Sequence, residues 1–295
     1  MHLGFFAGAV ILMISSTAIA TLRYQTVLRT ISPDSSVSFF PLMKLNLLTT
    51  FSAHFLPFGA LADAIRAIVS RNLLNVSVST AVEGVIADRI LAIVGFAFLG
   101  LLLLPIQIAI HSTWPLVASQ ALVFSGLLMV VTIIALGFGR YAKLIKLPTS
   151  ARGPLARPIM TWRGLCWQLC LATANTALFA AMLTLLARSL NLPLSPWLAL
   201  TVTPAIYLSQ VIPIFYAGFG SREVALTALL VPSGVLVSSD AVTLGLSIGL
   251  CNLVASLPGA VSARVIVQIS RTKSIELAPN GSPPSSQDRE TRAQL

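Results

Sequence analysis

Charge is what this sequence has least of. Only 9% of its 295 residues are Asp, Glu, Lys or Arg, while 56% are hydrophobic. A soluble domain carries roughly 25% charged residues to face water. At a mean hydropathy of +0.89 the chain cannot hide its apolar surface, which excludes an ordinary soluble protein. Cysteine is nearly absent too, with only Cys166, Cys170 and Cys251. Cys166 and Cys170 stand at i, i+4 in an apolar run with no His or carboxylate at ligand spacing. They read as buried small hydrophobes, and no metal or cofactor is expected.

Acids are missing from one long interval, between Asp88 and Glu223, and the basic residues inside it gather in a single segment. The net charge of +10 would suggest nucleic acid in a soluble protein. Here its placement argues for cytoplasmic loops and anionic lipid headgroups instead, with no nucleic-acid partner. No Lys or Arg precedes the first apolar run, which ends in Ala18-Ile19-Ala20 and is followed by Arg23. A cleaved signal needs its positive charge first, so a retained helix with an external N-terminus is expected. Catalytic acids are scarce as well. The external loops offer only Asp240 and His111, without an Asp-x-Asp pair, and no catalytic motif is found. The chain therefore reads as a non-enzyme. The alternatives are a membrane-embedded lipid-linked glycosyl or acyl transferase, and a non-catalytic membrane partner of cell-envelope biosynthesis enzymes.

Five apolar runs approach the ~20 residues that a helix needs to cross hydrocarbon: 3–22, 90–110, 116–138, 164–187 and 241–263. The segment 139–163 holds Arg140, Lys143, Lys146, Arg152, Arg157 and Arg163 and no acid, which places it in the cytoplasm. Arg23 and Arg29 place 23–37 there, and Arg264, Arg271 and Lys273 place the C-terminal tail there. Trp114, Trp162 and Trp197 fall near the predicted interfaces, where indoles anchor helices.

Two stretches fail as plain spans. Residues 38–70 hold Pro41, Lys44, Pro57 and Gly59, then Asp63 and Arg66; residues 197–231 hold Pro204, Pro213, Gly218, Gly220, Arg222 and Glu223. Each reads as an apolar half, a Pro/Gly break and a second short helix, tolerated at membrane depth only inside protein or beside a water-filled cavity. If both are re-entrant, every strongly basic segment lies on the cytoplasmic side. Two full spans would satisfy the charges equally. In both stretches Arg follows Pro by nine positions, with a carboxylate close by. Helix, broken stretch and helix in 3–110 parallel the same series in 164–263, with 116–138 as the linking helix. The expected fold class is thus all-α: a polytopic integral membrane protein with five full transmembrane helices and two re-entrant broken-helix segments in an inverted repeat. Residues 1–268 form the membrane domain, and 269–295 a disordered cytoplasmic tail of polar, Pro/Ser-rich character.

The breaks suggest chemistry. Proline and glycine interrupt the helix, and the next half-helix begins with unpaired N–H groups and a partial positive charge that favours phosphate. Arg222 would add a permanent charge there and Arg66 would do likewise in the first half. Glu83, Asp88 and Arg89 precede the 90–110 run and form either a charge network near Arg66 or an ordinary interfacial cluster. The alternative for the breaks is structural pairing of Arg66 with Asp63, and of Arg222 with Glu223 or Asp88. His54 reads as a packed polar residue, with titration as the alternative.

At these residues the chain resembles the transmembrane, flippase-like region of lysylphosphatidylglycerol synthetases. The strongest match is Leu208 to Leu226, where Pro213, Gly218, Gly220, Arg222, Glu223 and Ala225 fall in register, while Phe215 and Ala217 replace a Ser and a Gly. An earlier motif, Pro then Gly-Glu-x-x-Arg, is looser: Pro57, Asp63 and Arg66 can be placed, with one extra residue and Ala62 in place of Gly. Asp88-Arg89 resembles the family's acid-Arg pair, and the similarity covers most of residues 3–265. The resemblance implies a lipid-translocating domain of the inner membrane, as a stand-alone relative without the soluble aminoacyl-transferring domain. The expected cargo is a phosphate-bearing lipid: an aminoacyl-phospholipid, a phospholipid or a lipid-linked glycan precursor. The candidate headgroup residues are Asp63, Arg66, Asp88, Arg89, Arg222 and Glu223, with breaks at Pro57, Gly59, Pro213, Gly218 and Gly220.

Overall fold

A computed structural model describes residues 2–31, 38–56, 59–74, 78–110, 124–125, 162–210 and 220–276. Among these the secondary structure is helical, without a β-strand. The helices are α1 (Leu3–Ile31), α2 (Phe39–Ala53), α3 (Gly59–Leu74), α4 (Val78–Ile110), α5 (Trp162–Ser189), α6 (Pro196–Ser209), α7 (Ser221–Leu230) and α8 (Ser238–Glu276). Four of them are long and apolar enough to cross a membrane, over Leu3–Ile31, Val78–Ile106, Arg163–Ser189 and Ser238–Val261. The expected linking helix 116–138 lies outside the described residues except for Phe124 and Ser125, which are helical.

The helices outrun the apolar runs that announced them. α1 continues past residue 22, so Arg23 is a buried helical residue rather than part of a cytoplasmic loop. α4 starts at Val78 and takes in Glu83, Asp88 and Arg89, which were expected ahead of the helix. α8 runs to Glu276, beyond the expected boundary at 268. Hydropathy marks only the hydrocarbon-length stretch, whereas backbone hydrogen bonding continues a helix as long as one face stays packed. In α1 that face is Arg23, Tyr24, Val27 and Leu28, all buried.

The short helices are the halves of the two broken stretches. The 15 residues of α2 extend about 22 Å at 1.5 Å per residue, short of the ~30 Å of hydrocarbon. α7 has 10 residues and is shorter still. α6 starts cleanly: Pro196 opens it and the Ser195 hydroxyl accepts the Leu198 N–H at 3.2 Å.

The main apolar core joins α1 with α5, α6, α7 and α8 through Ala9, Met182, Leu186, Val202, Ile206, Leu226 and Leu244. A smaller one joins α1, α2, α3 and α4 through Tyr24, Leu28, Leu42, Leu45, Ala67 and Val85. α1 lies along α5, α2 along α8 and α4 along α6. Large apolar side chains such as Phe40, Trp197 and Val261 face outward, as lipid-facing residues do. Cys251 is buried as expected, but Cys166 and Cys170 are exposed. Their i, i+4 spacing put both on one face, and that face of α5 points away from the bundle.

Small residues set the closest approaches, because lipid gives no hydrophobic drive for helix association and packing must supply it. Gly95 of α4 lies against Ala172 of α5, and Gly259 of α8 lies against the backbone carbonyl of Leu47 in α2. A methyl at Gly259 would run into backbone that cannot rotate away. Gly259→Ala is expected to destabilise the protein by about 1–3 kcal/mol. Gly4→Ala, with open space around it, is expected to leave stability unchanged. Thermal unfolding of both variants in detergent checks the contrast.

Candidate functional site

The charged residues inside the bundle are not scattered. α1 supplies Arg23, α3 supplies Arg66 and α4 supplies Asp88. Arg23 Nε donates to Asp88 Oδ1 at 3.0 Å, and Arg66 Nη1 donates to Asp88 Oδ2 at 3.0 Å. The two arginine side chains are each 10% exposed and the aspartate 3%. The Arg66 guanidinium also lies over the Tyr24 ring, 3.6 Å from its centroid, a cation–π contact worth up to about 2 kcal/mol when desolvated. Ser70, one turn along α3, hydrogen-bonds the Tyr24 hydroxyl at 2.9 Å and fixes that ring.

Two guanidiniums around one carboxylate leave a net positive charge in the interior. Arg66 Nε has no hydrogen-bond partner among the described residues. A buried charge is tolerated when it is paired and hydrogen-bonded, so among the described residues this cluster has one carboxylate for two guanidiniums. A second pair sits beside it in a wetter place. Arg89 holds Asp63 with two bonds, 3.1 Å from Nε and 2.7 Å from Nη2, with side chains 50% and 28% exposed. Asp88 and Arg89 are adjacent on α4, so one points inward and the other out.

The structural-pairing alternative is corrected, and Asp88 joins Arg66 in a charge network instead. Arg66 pairs with Asp88, not Asp63, which belongs to Arg89. Arg66 does not sit at the start of its half-helix either: α3 begins at Gly59, two turns earlier. Arg23 went unrecognised as a site residue, since a basic residue just after an apolar run looks like a topology marker. The signal that could have found it is its helical phase, which puts Tyr24, Val27 and Leu28 on the same side.

The second break behaves as expected of a half-helix start. Gly220 precedes α7 with φ 93, a conformation L side chains rarely adopt. Arg222 is the second residue of α7 and 1% exposed, the largest fully buried side chain described. Glu223 reaches back to accept the Gly220 N–H through Oε2 at 2.6 Å. This is half of a capping box, because glycine has no side chain to return the bond. The charge of Arg222 also acts on His54, at the end of α2, so the two breaks approach one another. Pro57, Pro213 and Gly218 lie outside the described residues, while Gly59 opens α3.

A third polar group went unnoticed in the sequence. Ser16 of α1 donates to Asn175 Oδ1 at 2.7 Å, and Asn175 Nδ2 donates to the Tyr207 hydroxyl at 3.2 Å. Tyr207 stacks on Phe96, with centroids 4.3 Å apart. Single Ser, Asn and Tyr residues far apart in sequence carry no local pattern, so this junction of α1, α4, α5 and α6 is visible only in three dimensions.

The family described as "Lysylphosphatidylglycerol synthase TM region" matches residues 1–259. The chain belongs to this family. The match spans both breaks, the Arg23–Asp88–Arg66 cluster and the Tyr207 junction, and with the four apolar helices it makes the chain a multi-pass membrane protein. No curated protein matches the chain.

Within this family fold the central carboxylate carries the arrangement. Asp88→Asn leaves two buried guanidiniums without a counter-charge and is expected to cost about 3–5 kcal/mol. Asp63→Asn, at the half-exposed pair, is expected to cost less than about 1 kcal/mol. Chemical unfolding of the two variants side by side in detergent checks the difference.

Proposed function

We propose that this protein is a lipid transporter or flippase that carries a phosphate-bearing lipid across the inner membrane. The headgroup passes through the polar interior near Arg23, Arg66 and Arg222, and the tails stay in the bilayer. The cargo class is an aminoacyl-phospholipid, a phospholipid or a lipid-linked glycan precursor. The observation that carries this reading is the surplus buried positive charge at Arg23–Asp88–Arg66, in a member of a lipid-related membrane family. Intramembrane charge is costly and marks substrate paths, and an arginine fork suits phosphate.

Helix contacts support an internal repeat, which the inverted-repeat reading requires. Exchanging α1–α4 with α5–α8 turns α2 on α8 into α6 on α4, α3 on α4 into α7 on α8, and α1 on α2 into α5 on α6. It also turns α1 on α4 into α5 on α8, and α1 on α5 maps onto itself. Contact of α3 with α8 is not matched to the same extent by α7 with α4. Such near-symmetry is the basis of alternating access around a central site. The contacts of α2 with α3 and of α6 with α7 support re-entrant hairpins. The basic segment 139–163 and the C-terminus then lie in the cytoplasm.

Translocation of a fluorescent phospholipid in proteoliposomes tests the reading. Wild type is expected to exceed empty vesicles. Arg222→Ala is expected to lose about 10-fold or more, the equivalent of one charge-assisted hydrogen bond, and Arg222→Lys to recover part of it. Equal rates in wild type, variant and empty vesicles would contradict it.

A further inference from the structure

We infer that Gln168 of α5 reads the lipid headgroup: its side-chain oxygen accepts a hydrogen bond from a hydroxyl, so the cargo is a phosphate-bearing lipid whose headgroup carries one. The inference rests on the lipid-transport reading and narrows its cargo class. It starts from the seam between α1 and α5, which holds two polar rungs. Ser16 donates to Asn175, and the Arg23 backbone carbonyl accepts from Gln168 Nε2 at 3.3 Å. Seven residues forward on α1 match seven back on α5, so the two helices run antiparallel and the rungs lie about 10 Å apart.

The rungs differ in one respect. At Asn175 both ends of the amide are used, Oδ1 accepting from Ser16 and Nδ2 donating to Tyr207. At Gln168 only the nitrogen is used. A carbonyl can only accept, so Arg23 fixes Nε2 towards itself, and Oε1 is buried with no hydrogen-bond partner among the described residues. The residue is 4% exposed. A buried amide oxygen that accepts nothing is unfavourable, and the Asn175 rung shows that this seam is able to satisfy a whole amide.

The open oxygen belongs to a residue near the level of the charge cluster. α1 and α4 are antiparallel, since Arg23 meets Asp88 while Leu28 lies against Gly84. α4 and α5 are therefore parallel. Gly95, seven residues after Asp88, lies against Ala172, four after Gln168. Gln168 thus stands about three residues, or roughly 4–5 Å, beyond the level of Asp88. Arg66, bonded to Asp88, has an Nε with no hydrogen-bond partner among the described residues. Neighbouring levels of the interior therefore hold an unused donor on a guanidinium and an unused acceptor on a neutral amide. A phosphate oxygen suits the first and an O–H the second. An ammonium would also donate, but it adds positive charge where two guanidiniums share one carboxylate.

The test is competition between equimolar short-chain lipids for the full-length protein in detergent, read by native mass spectrometry. Phosphatidylglycerol and phosphatidylpropanol share their charge and headgroup carbon count, and only the first has headgroup hydroxyls. Wild type is expected to favour phosphatidylglycerol by about 10-fold, the effect of one buried hydrogen bond. Gln168→Met, similar in size but without the amide, is expected to bind both lipids without preference. Asn175→Leu, at the closed rung, is expected to lower the unfolding temperature and keep the preference. A folded Gln168→Met that keeps the preference or binds neither lipid, or an Asn175→Leu that also loses the preference, overturns the role of Gln168 but not the lipid site. Equal occupancy of the two lipids on wild type overturns the hydroxyl as the feature that is read. No binding of either lipid by wild type overturns the transport reading as well. Phosphatidylethanolamine binding as tightly as phosphatidylglycerol overturns the choice of hydroxyl over ammonium. If thermal unfolding shows that Gln168→Met does not fold, wild type is compared on headgroups that keep only the middle or only the terminal hydroxyl. One acceptor reads one position, so one of these lipids is expected to match phosphatidylglycerol and the other phosphatidylpropanol. Equal losses for both overturn the inference.

Discussion

One carboxylate between two guanidiniums holds the first half of this protein together. Asp88 is the point at which α1, α3 and α4 meet, bonded to Arg23 on one oxygen and Arg66 on the other. The apolar core of this half is small, whereas the second half packs α5, α6, α7 and α8 around an extensive one. The first half thus adds a buried charge cluster to packing that includes the close approach of Gly259 to Leu47 in α2. Removing two guanidiniums and a carboxylate from water is expensive; among the described residues the short bonds at Asp88 and the Tyr24 ring beneath Arg66 offset it. The surplus positive charge at this cluster is the feature on which the proposed lipid path rests.

The two halves carry related sequence elements to different ends. Arg follows Pro by nine positions in both, but α3 restarts at Gly59, soon after Pro57, and α7 only at Ser221, well after Pro213. Arg66 therefore lies two turns inside its helix and is bound by Asp88, while Arg222 lies at the very start of its helix beside Glu223. Similar motifs give one arginine bonded to a carboxylate on another helix and one beside a carboxylate on its own helix. Under the alternating-access reading, these two ends would exchange roles as the protein changes the side it faces.

Much of the frame was legible before any coordinates. Depletion of charge pointed to the membrane, four of the five apolar runs reappear as long helices, and short helices flank the two expected breaks, with Gly220 just ahead of α7 and Arg222 in its first turn. The rest was not, for identifiable reasons. Hydropathy ends where charge begins, so Arg23 and Asp88 were placed outside helices that in fact enclose them. Their bond joins residues 65 positions apart, and Ser16, Asn175 and Tyr207 are as widely dispersed, so no local pattern could pair them. Spacing alone put Cys166 and Cys170 on one face of α5 but could not say which way that face points.

The central claim is that the cluster of Arg23, Asp88 and Arg66 takes a lipid phosphate. Native mass spectrometry of the protein released from membranes tests it most directly. The account predicts a bound phosphate-bearing lipid on wild type that is lost from Arg66→Gln, in which cluster charge is balanced, with thermal unfolding showing that the variant is folded. Equal lipid occupancy on the two proteins, or none on wild type, would contradict it.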